Sequence, residues 1–259
     1  MAPSGPSLQL VEEALARVRD PELDEPLVKL GFIDGVAVDG GSVRVSFRLP
    51  TFWCAPNFAF LMASDLLAAA RAVPGVARVE VELVDHAFAD EINRAIATGR
   101  SFEAAFPDET EGSLEQLRVR FLRKAFVRRQ GALLQALSEA GFTEKEVAAM
   151  RLSDIDRPEV RRALEHVHSE LVRCLELRVP LGLPTEPSQP LFCTPAGEPW
   201  ERGAGLEPAR PEAGLDGGRA WARVLETSAS LNAAWCTSLL RTRYGPAAAP
   251  LDSSGASGT

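Results

Sequence analysis

The segment from Phe32 to Leu83 constrains the fold most. Phe32-Ile33-Asp34-Gly35-Val36-Ala37-Val38 and Val43-Arg44-Val45-Ser46-Phe47-Arg48-Leu49 flank Asp39-Gly40-Gly41. Two alternating apolar/polar runs around a glycine-rich turn predict a β-hairpin. Pro50 to Ala55 read as a loop. Pro56 suits the first position of a helix, where its missing N–H costs nothing, and Leu61, Leu66 and Leu67 carry that helix to about Val73. Pro74-Gly75 breaks it, and Val76 to Leu83 read as a third strand. Ahead of the hairpin, Ser7 offers an N-cap to a helix with Leu8, Val11, Leu15 and Val18 on one stripe. Asp20-Pro21 ends that helix, because a residue before proline is pushed out of the α region. The order α-β-β-α-β predicts a small, compact α+β unit.

Beyond Asp85-His86 the pattern turns helical. Short helices are predicted over 87–98, stopped by Gly99, and over 101–106. Ser113-Leu114-Glu115-Gln116 spells a capping box before a long helix over about 114–140, with Gly141 at its end. Thr143-Glu144-Lys145-Glu146 repeats that spelling. Pro158 opens one continuous helix, with Val160, Leu164, Val167, Leu171 and Leu175 on one face, that stops before Pro180. Leu191 to Thr194 suggest a short strand, 201–218 a linker, and 219–243 a final helix carrying Trp221, Leu225, Leu231, Trp235 and Leu239. The fold class expected is therefore α+β: a small α-β-β-α-β domain at 7–86, then a mainly α-helical domain at 87–244. Residues 245–259, rich in Ala, Ser, Gly and Pro, are expected to be a disordered tail.

Composition narrows the function classes. The chain has 259 residues, 46% hydrophobic and 25% charged, which are globular proportions. Its four cysteines, Cys54, Cys174, Cys193 and Cys236, show neither CxxC nor zinc-finger spacing. That argues against a secreted disulfide framework and a structural zinc site. There is no run of about 18 apolar residues and no signal-peptide pattern at Met1-Ala-Pro-Ser-Gly-Pro. A cytoplasmic protein without a membrane association is expected. The net charge of −8 counts against general nucleic-acid binding. Phosphate loops, dinucleotide fingerprints and Ser/His/Asp nucleophile motifs are missing.

The strongest local signal is Leu49-Pro50-Thr51-Phe52-Trp53-Cys54-Ala55-Pro56-Asn57-Phe58. It puts a thiol between a strand and a helix start, where free backbone N–H groups favour a thiolate that binds metals or attacks electrophiles. The alternative is that Cys54 is a small, buried apolar residue. Asp20, Asp85 and His86 are the nearest candidates to supplement or tune the thiol. Asp20 serves equally well as a turn acceptor, and His86 as a partly exposed loop histidine. Glu165 and His168 form a single Glu-x-x-His, whereas a di-iron bundle needs two and further carboxylates, so they read as a chance pair. In the basic run Arg118–Arg129, Leu117, Phe121, Leu122 and Phe126 are expected to face inward and the charges outward. Trp200, Trp221 and Trp235 with Cys193 and Cys236 read as core of the second region.

Several of these motifs, in order, resemble the PaaD/SufT-like (MIP18-type) iron–sulfur cluster assembly domain family over residues 8 to 86. They are Asp20-Pro21-Glu22-Leu23, Val28-Lys29-Leu30-Gly31-Phe32-Ile33, the hairpin, the Thr/Pro loop ending in cysteine, and Pro74-Gly75-Val76. The resemblance implies that the family's Asp-Pro-Glu maps to Asp20, Pro21 and Glu22, and its reactive cysteine to Cys54, with Thr51 and Pro56 positioning the loop. Members commonly have proline directly after the cysteine; here Ala55 intervenes and bulky Phe52-Trp53 precede. The implied role is accessory: maturation of iron–sulfur or di-iron oxygenase proteins, with a client metalloprotein or iron–sulfur assembly components as partners, and no enzymatic activity. One cysteine cannot satisfy a cluster that takes four protein ligands. Iron or a cluster is therefore expected to be held only transiently, with ligands from a homodimer mate, client or carrier, and no cofactor stably. The competing reading is a non-catalytic protein-binding scaffold with a structural Cys54. A thiol enzyme would need a base beside Cys54, for which His86 is the nearest in sequence.

Overall fold

The computed structural model describes residues 5–109, 113–198 and 215–245. The chain divides into two units, Met1–Leu117 with Leu231–Thr259, and Arg118–Ser230. The architecture is α+β, with a three-stranded sheet and helices early in the chain and helices alone as regular elements thereafter among the described residues.

In the first unit, Ser7 caps α1 (Leu8–Leu15) by accepting a bond from the Leu10 N–H, and a one-turn helix α2 (Leu27–Leu30) ends on left-handed Gly31. Strands β1 (Ile33–Asp39) and β2 (Ser42–Arg48) form the antiparallel hairpin, with an irregularity between Ile33 and Gly35. Helix α3 (Pro56–Arg71) crosses over to β3 (Arg78–Val84), which runs parallel to β2. β2 is therefore central. Val43, Val45 and Phe47 of β2 and Val81 and Leu83 of β3 face the core; Arg44 and Glu80 pair on the other face at 3.5 Å. The core closes over them with Val11 and Leu15 of α1 and Phe60, Leu66 and Ala70 of α3. Phe47 is fully buried, and truncation of such a residue to alanine typically costs about 3–5 kcal/mol.

This core extends past His86. Helices α4 (Ala89–Thr98) and α5 (Phe102–Ala105) contribute Ile92, Ile96, Phe102 and, just beyond, Phe106. Asn93 ties α4 to the edge strand: its Oδ1 accepts from the Leu83 N–H at 2.8 Å, and its Nδ2 donates to the Leu83 carbonyl at 3.0 Å. An amide side chain carries a donor and an acceptor and so replaces a missing neighbouring strand at one residue.

The second unit packs helix α6 (Leu114–Glu139, from Arg118 onward) with α7 (Glu144–Ala149), α8 (Pro158–Leu164) and α9 (His168–Arg178). Phe126, Leu133, Leu137, Leu164, Leu177 and Phe192 form its centre. The capping boxes at Ser113/Gln116 and Thr143/Glu146 are both formed. Three expectations need correction. The helix from Pro158 is interrupted by a tight turn over Glu165–Val167, where β-branched Val167 leaves helical dihedrals (φ −116°, ψ 27°); α9 then turns Leu171, Cys174 and Leu177 inward. No strand forms at Leu191–Thr194. Instead the buried side chain of Gln130 accepts from the Cys193 N–H at 2.9 Å and donates to its carbonyl at 3.0 Å. Third, the basic run does not turn all its charges outward: Arg128 and Arg129 are buried, and Arg129 pairs with Glu170 at 2.6 Å. A buried guanidinium requires such a partner.

Helix α10 (Leu215–Tyr244) starts earlier than expected, inside the expected 201–218 linker. Among its described side chains and glycines, Gly218, Ala222 and Leu240 are buried, while Leu231 and Trp235 are exposed. Trp235 and Cys236 are thus not core of the second region: Cys236 packs against the first core. Residues from Leu231 onward belong to the first unit, while earlier in the helix Ala222 meets α6 so closely that a Cβ on Gly131 would overlap its own, and only small residues fit such a contact. Trp200, residues 201–214 of the expected linker and the expected tail beyond Gly245 lie outside the described residues. No helix of the described residues is long and apolar enough to cross a membrane.

Candidate functional site

Cys54 precedes the N-cap of α3, Ala55, whose extended backbone (φ −58°, ψ 131°) leads into Pro56 at the first helical position. Proline enforces that extended residue, so Ala55-Pro56 sets the thiol just ahead of the positive end of a 16-residue helix. The Thr51 hydroxyl lies 3.0 Å from the Cys54 sulfur. Two backbone attachments hold the loop to the end of β3: the Ala87 N–H donates to the Phe52 carbonyl at 2.7 Å, and His86 Nε2 meets the Cys54 carbonyl at 2.8 Å.

His86 Nδ1 accepts from the Phe88 N–H at 3.1 Å, so the ring proton sits on Nε2 and is given to Cys54. Both ring nitrogens are therefore engaged with backbone. Burial holds the His86 pKa below its ordinary value, the bond to the Cys54 carbonyl raises it, and the nearby Arg243 charge lowers it again. The imidazole is neutral at pH 7 and works as a clamp on the thiol loop.

Asp20 is buried, and its Oδ1 accepts from the N–H groups of Glu22 (2.9 Å) and Leu23 (2.7 Å). The Asp20 N–H donates to Glu25 and its carbonyl accepts from Asp24, which has left-handed φ of 50°. The Asp-Pro-Glu segment is thus a turn closed on its own first carboxylate, with Glu22 exposed at the rim. Burial pushes Asp20 up to about 6; the two backbone donors oppose the rise, and the charges of Glu22 and Asp24 add to it.

The carboxy-terminal half of α10 completes the site. Tyr244 donates to Asp85 Oδ2 at 2.8 Å, Arg243 pairs with the same carboxylate at 2.7 Å, and the Arg48 guanidinium stacks over the Tyr244 ring at 4.3 Å. Ala233, Cys236, Leu240 and Tyr244 form one helical stripe against the first core. Burial, joined by the charges of Asp20, Cys54 and Glu22, pushes the Cys236 thiol up to about 11. Sequence reasoning placed it in the second region; the only signal that could have found it is the i, i+3, i+7, i+11 stripe it shares with Ala233, Leu240 and Tyr244.

Around the thiol the surface is apolar: Phe52 is exposed and Trp53 is 76% exposed. Cys174 and Cys193, by contrast, are buried in the second unit, and burial pushes both thiols up. Glu165 closes α8 and His168 opens α9 on either side of the tight turn. Among the described residues, no group of three or more His, Cys, Asp or Glu side chains is placed to hold a metal ion.

Comparisons with curated proteins and with solved structures give no match. Residues 8–83, the segment from α1 through β3 that builds the Asp20 turn and the Cys54 loop, match the model of the family described as "Iron-sulfur cluster assembly protein".

Proposed function

We propose that this chain is an accessory factor for the maturation of iron-containing proteins in the cytoplasm, with Cys54 as the thiol that contacts the cargo. The observation that carries this reading is the coincidence of the iron–sulfur assembly match with a half-exposed cysteine held at a helix start by Thr51, His86 and Pro56. A thiol there is reachable, whereas Cys174 and Cys193 are not. Iron or an iron–sulfur cluster is the cargo, passed on rather than kept, since four ligands are normally needed to retain a cluster. The partner is a client metalloprotein, of the iron–sulfur or di-iron oxygenase class, or an iron–sulfur assembly component. Exposed Phe52 and Trp53 beside the thiol supply a contact surface of the kind aromatic side chains make at interfaces, and the helical second unit adds client recognition.

The test is iron loading of a co-produced client with Cys54→Ser in place of the wild type. Loading should fall while the fold, judged by circular dichroism, is unchanged. Undiminished loading by a folded variant refutes the thiol role. The competing scaffold reading is favoured by the partial packing of Cys54 against the core. It predicts that Cys54 alkylates no faster than Cys174, Cys193 and Cys236, and the reading preferred here predicts the reverse.

A further inference from the structure

The loop that carries Cys54 is fastened by the short segment that follows β3. The His86 ring reaches the Cys54 carbonyl at 2.8 Å, and the Ala87 N–H donates to the Phe52 carbonyl at 2.7 Å. Both donors come directly after Asp85, whose φ of 54° is left-handed, a region that residues other than glycine enter uncommonly. Asp85 is gripped from α10. Arg243 Nη2 donates to the Asp85 carbonyl at 3.0 Å and pairs with its Oδ2 at 2.7 Å, and the Tyr244 hydroxyl donates to the same Oδ2 at 2.8 Å. The Arg243 guanidinium also lies 5.9 Å from the centre of the Phe52 ring, within the loop itself. Tyr244 is backed by Arg48, 4.3 Å from its ring and anchored to Asp34 of β1 at 2.9 Å. Leu240 is fully buried in the first core, and residues three and four positions later share its face of a helix, which brings Arg243 and Tyr244 to Asp85. All of these groups belong to the first unit, yet Asp85, His86, Arg243 and Tyr244 lie outside the segment matched to the iron–sulfur assembly family.

We propose that Arg243 and Tyr244 are positioning residues that form a latch on the Cys54 loop: through Asp85 they hold the His86-Ala87 segment, and with it the loop, against the first core, and opening the latch makes the thiol more reactive. The proposal rests on the reading of Cys54 as the cargo-contacting thiol and names the device that governs its exposure. Cys54 is half-exposed and partly packed against the core, so a freed loop uncovers more of it. The latch opens without lifting α10, because Leu240 stays seated. It is also lightly held. The Arg243–Asp85 pair is partly exposed, where ion pairs contribute little. Arg48 Nε and Arg243 Nη1 are shielded from water with no acceptor among the described residues, which costs free energy.

Hydrogen exchange followed by NMR on the reduced full-length protein tests the latch, with the Ala87 N–H as reporter of the loop and the Val45 N–H of β2 as reporter of the unit. Tyr244→Phe keeps the ring beside Arg48 and removes the bond to Asp85. Exchange at Ala87 and alkylation of Cys54 by iodoacetamide should both become about fivefold faster, the change expected from one lost hydrogen bond, while Val45 exchanges as before. Arg243→Met should act at least as strongly, and Arg243→Lys should recover part of the effect by returning a charge to Asp85. Unchanged exchange at Ala87, an unchanged alkylation rate, equal acceleration at Ala87 and Val45, or a lysine variant as open as the methionine one each overturns the latch and leaves the Cys54 role standing. None of these readouts needs a client, so undiminished client loading by folded Cys54→Ser refutes the maturation role and leaves the latch.

Discussion

Replacing Asp20 by asparagine gives a sharply signed expectation. In the unfolded chain this carboxyl ionises near 3.8, whereas burial in the turn moves it up to about 6. Ionising Asp20 in the folded protein therefore costs more than ionising it in the unfolded chain. The stability it contributes is complete below pH 3.8 and is lost as pH rises through about 6. At ~1.36 kcal/mol per pH unit, the gap from 3.8 to about 6 amounts to about 3 kcal/mol. Asparagine keeps an oxygen to accept from Glu22 and Leu23 but carries no charge. Asp20→Asn should thus match the wild type at acid pH and exceed it by about 3 kcal/mol at neutral pH. The facing charges, Glu22 and Asp24, remain in both proteins, so the difference between them isolates Asp20. Urea unfolding across that pH range, followed by NMR at Val45 and Phe47 to read the first unit alone, measures it. The carboxyl 13C shift of Asp20 gives the midpoint directly. Parallel stability profiles for the two proteins, or a midpoint near 3.8, would refute the reasoning.

Three further outcomes are expected. Thr51→Val keeps the side chain's volume but removes the hydroxyl beside the Cys54 sulfur; losing one hydrogen bond of about 1 kcal/mol to the attacking anion should slow Cys54 alkylation by iodoacetamide about fivefold, and an unchanged rate would deny the hydroxyl that part. Gln130→Leu strips both backbone bonds from buried Cys193, which should cost the second unit about 2–4 kcal/mol in urea unfolding while Cys54 alkylates at its normal rate. Trp53→Ala removes a side chain that is 76% exposed, so stability should stay within about 0.5 kcal/mol while client iron loading drops; normal loading would remove Trp53 from the contact surface.

The legible features of this protein are those whose physics is local. The glycine turn between β1 and β2, proline at the start of α3, left-handed Gly99 after α4 and the capping boxes at Ser113 and Thr143 each act within a few residues. They could be read before any packing was known, and they place Cys54 at the mouth of α3. Asp20 was legible as a turn acceptor for the same reason: its partners are two and three residues away. Tertiary structure alone decided which remote groups meet. Nothing near Gln130 or Asn93 announces that one amide will serve Cys193 and the other Leu83, because a side chain's usefulness as a backbone partner depends on what packing leaves unpaired. Hydrophobicity likewise misplaced the buried face of α10: it pointed to Leu231 and Trp235, whereas Ala222 and Leu240 are buried. Cys236 illustrates the division most clearly. By sequence it is one of four scattered cysteines; the stripe it shares with Leu240 and Tyr244 carries it to the first core, a placement that only the packing of the helix decides.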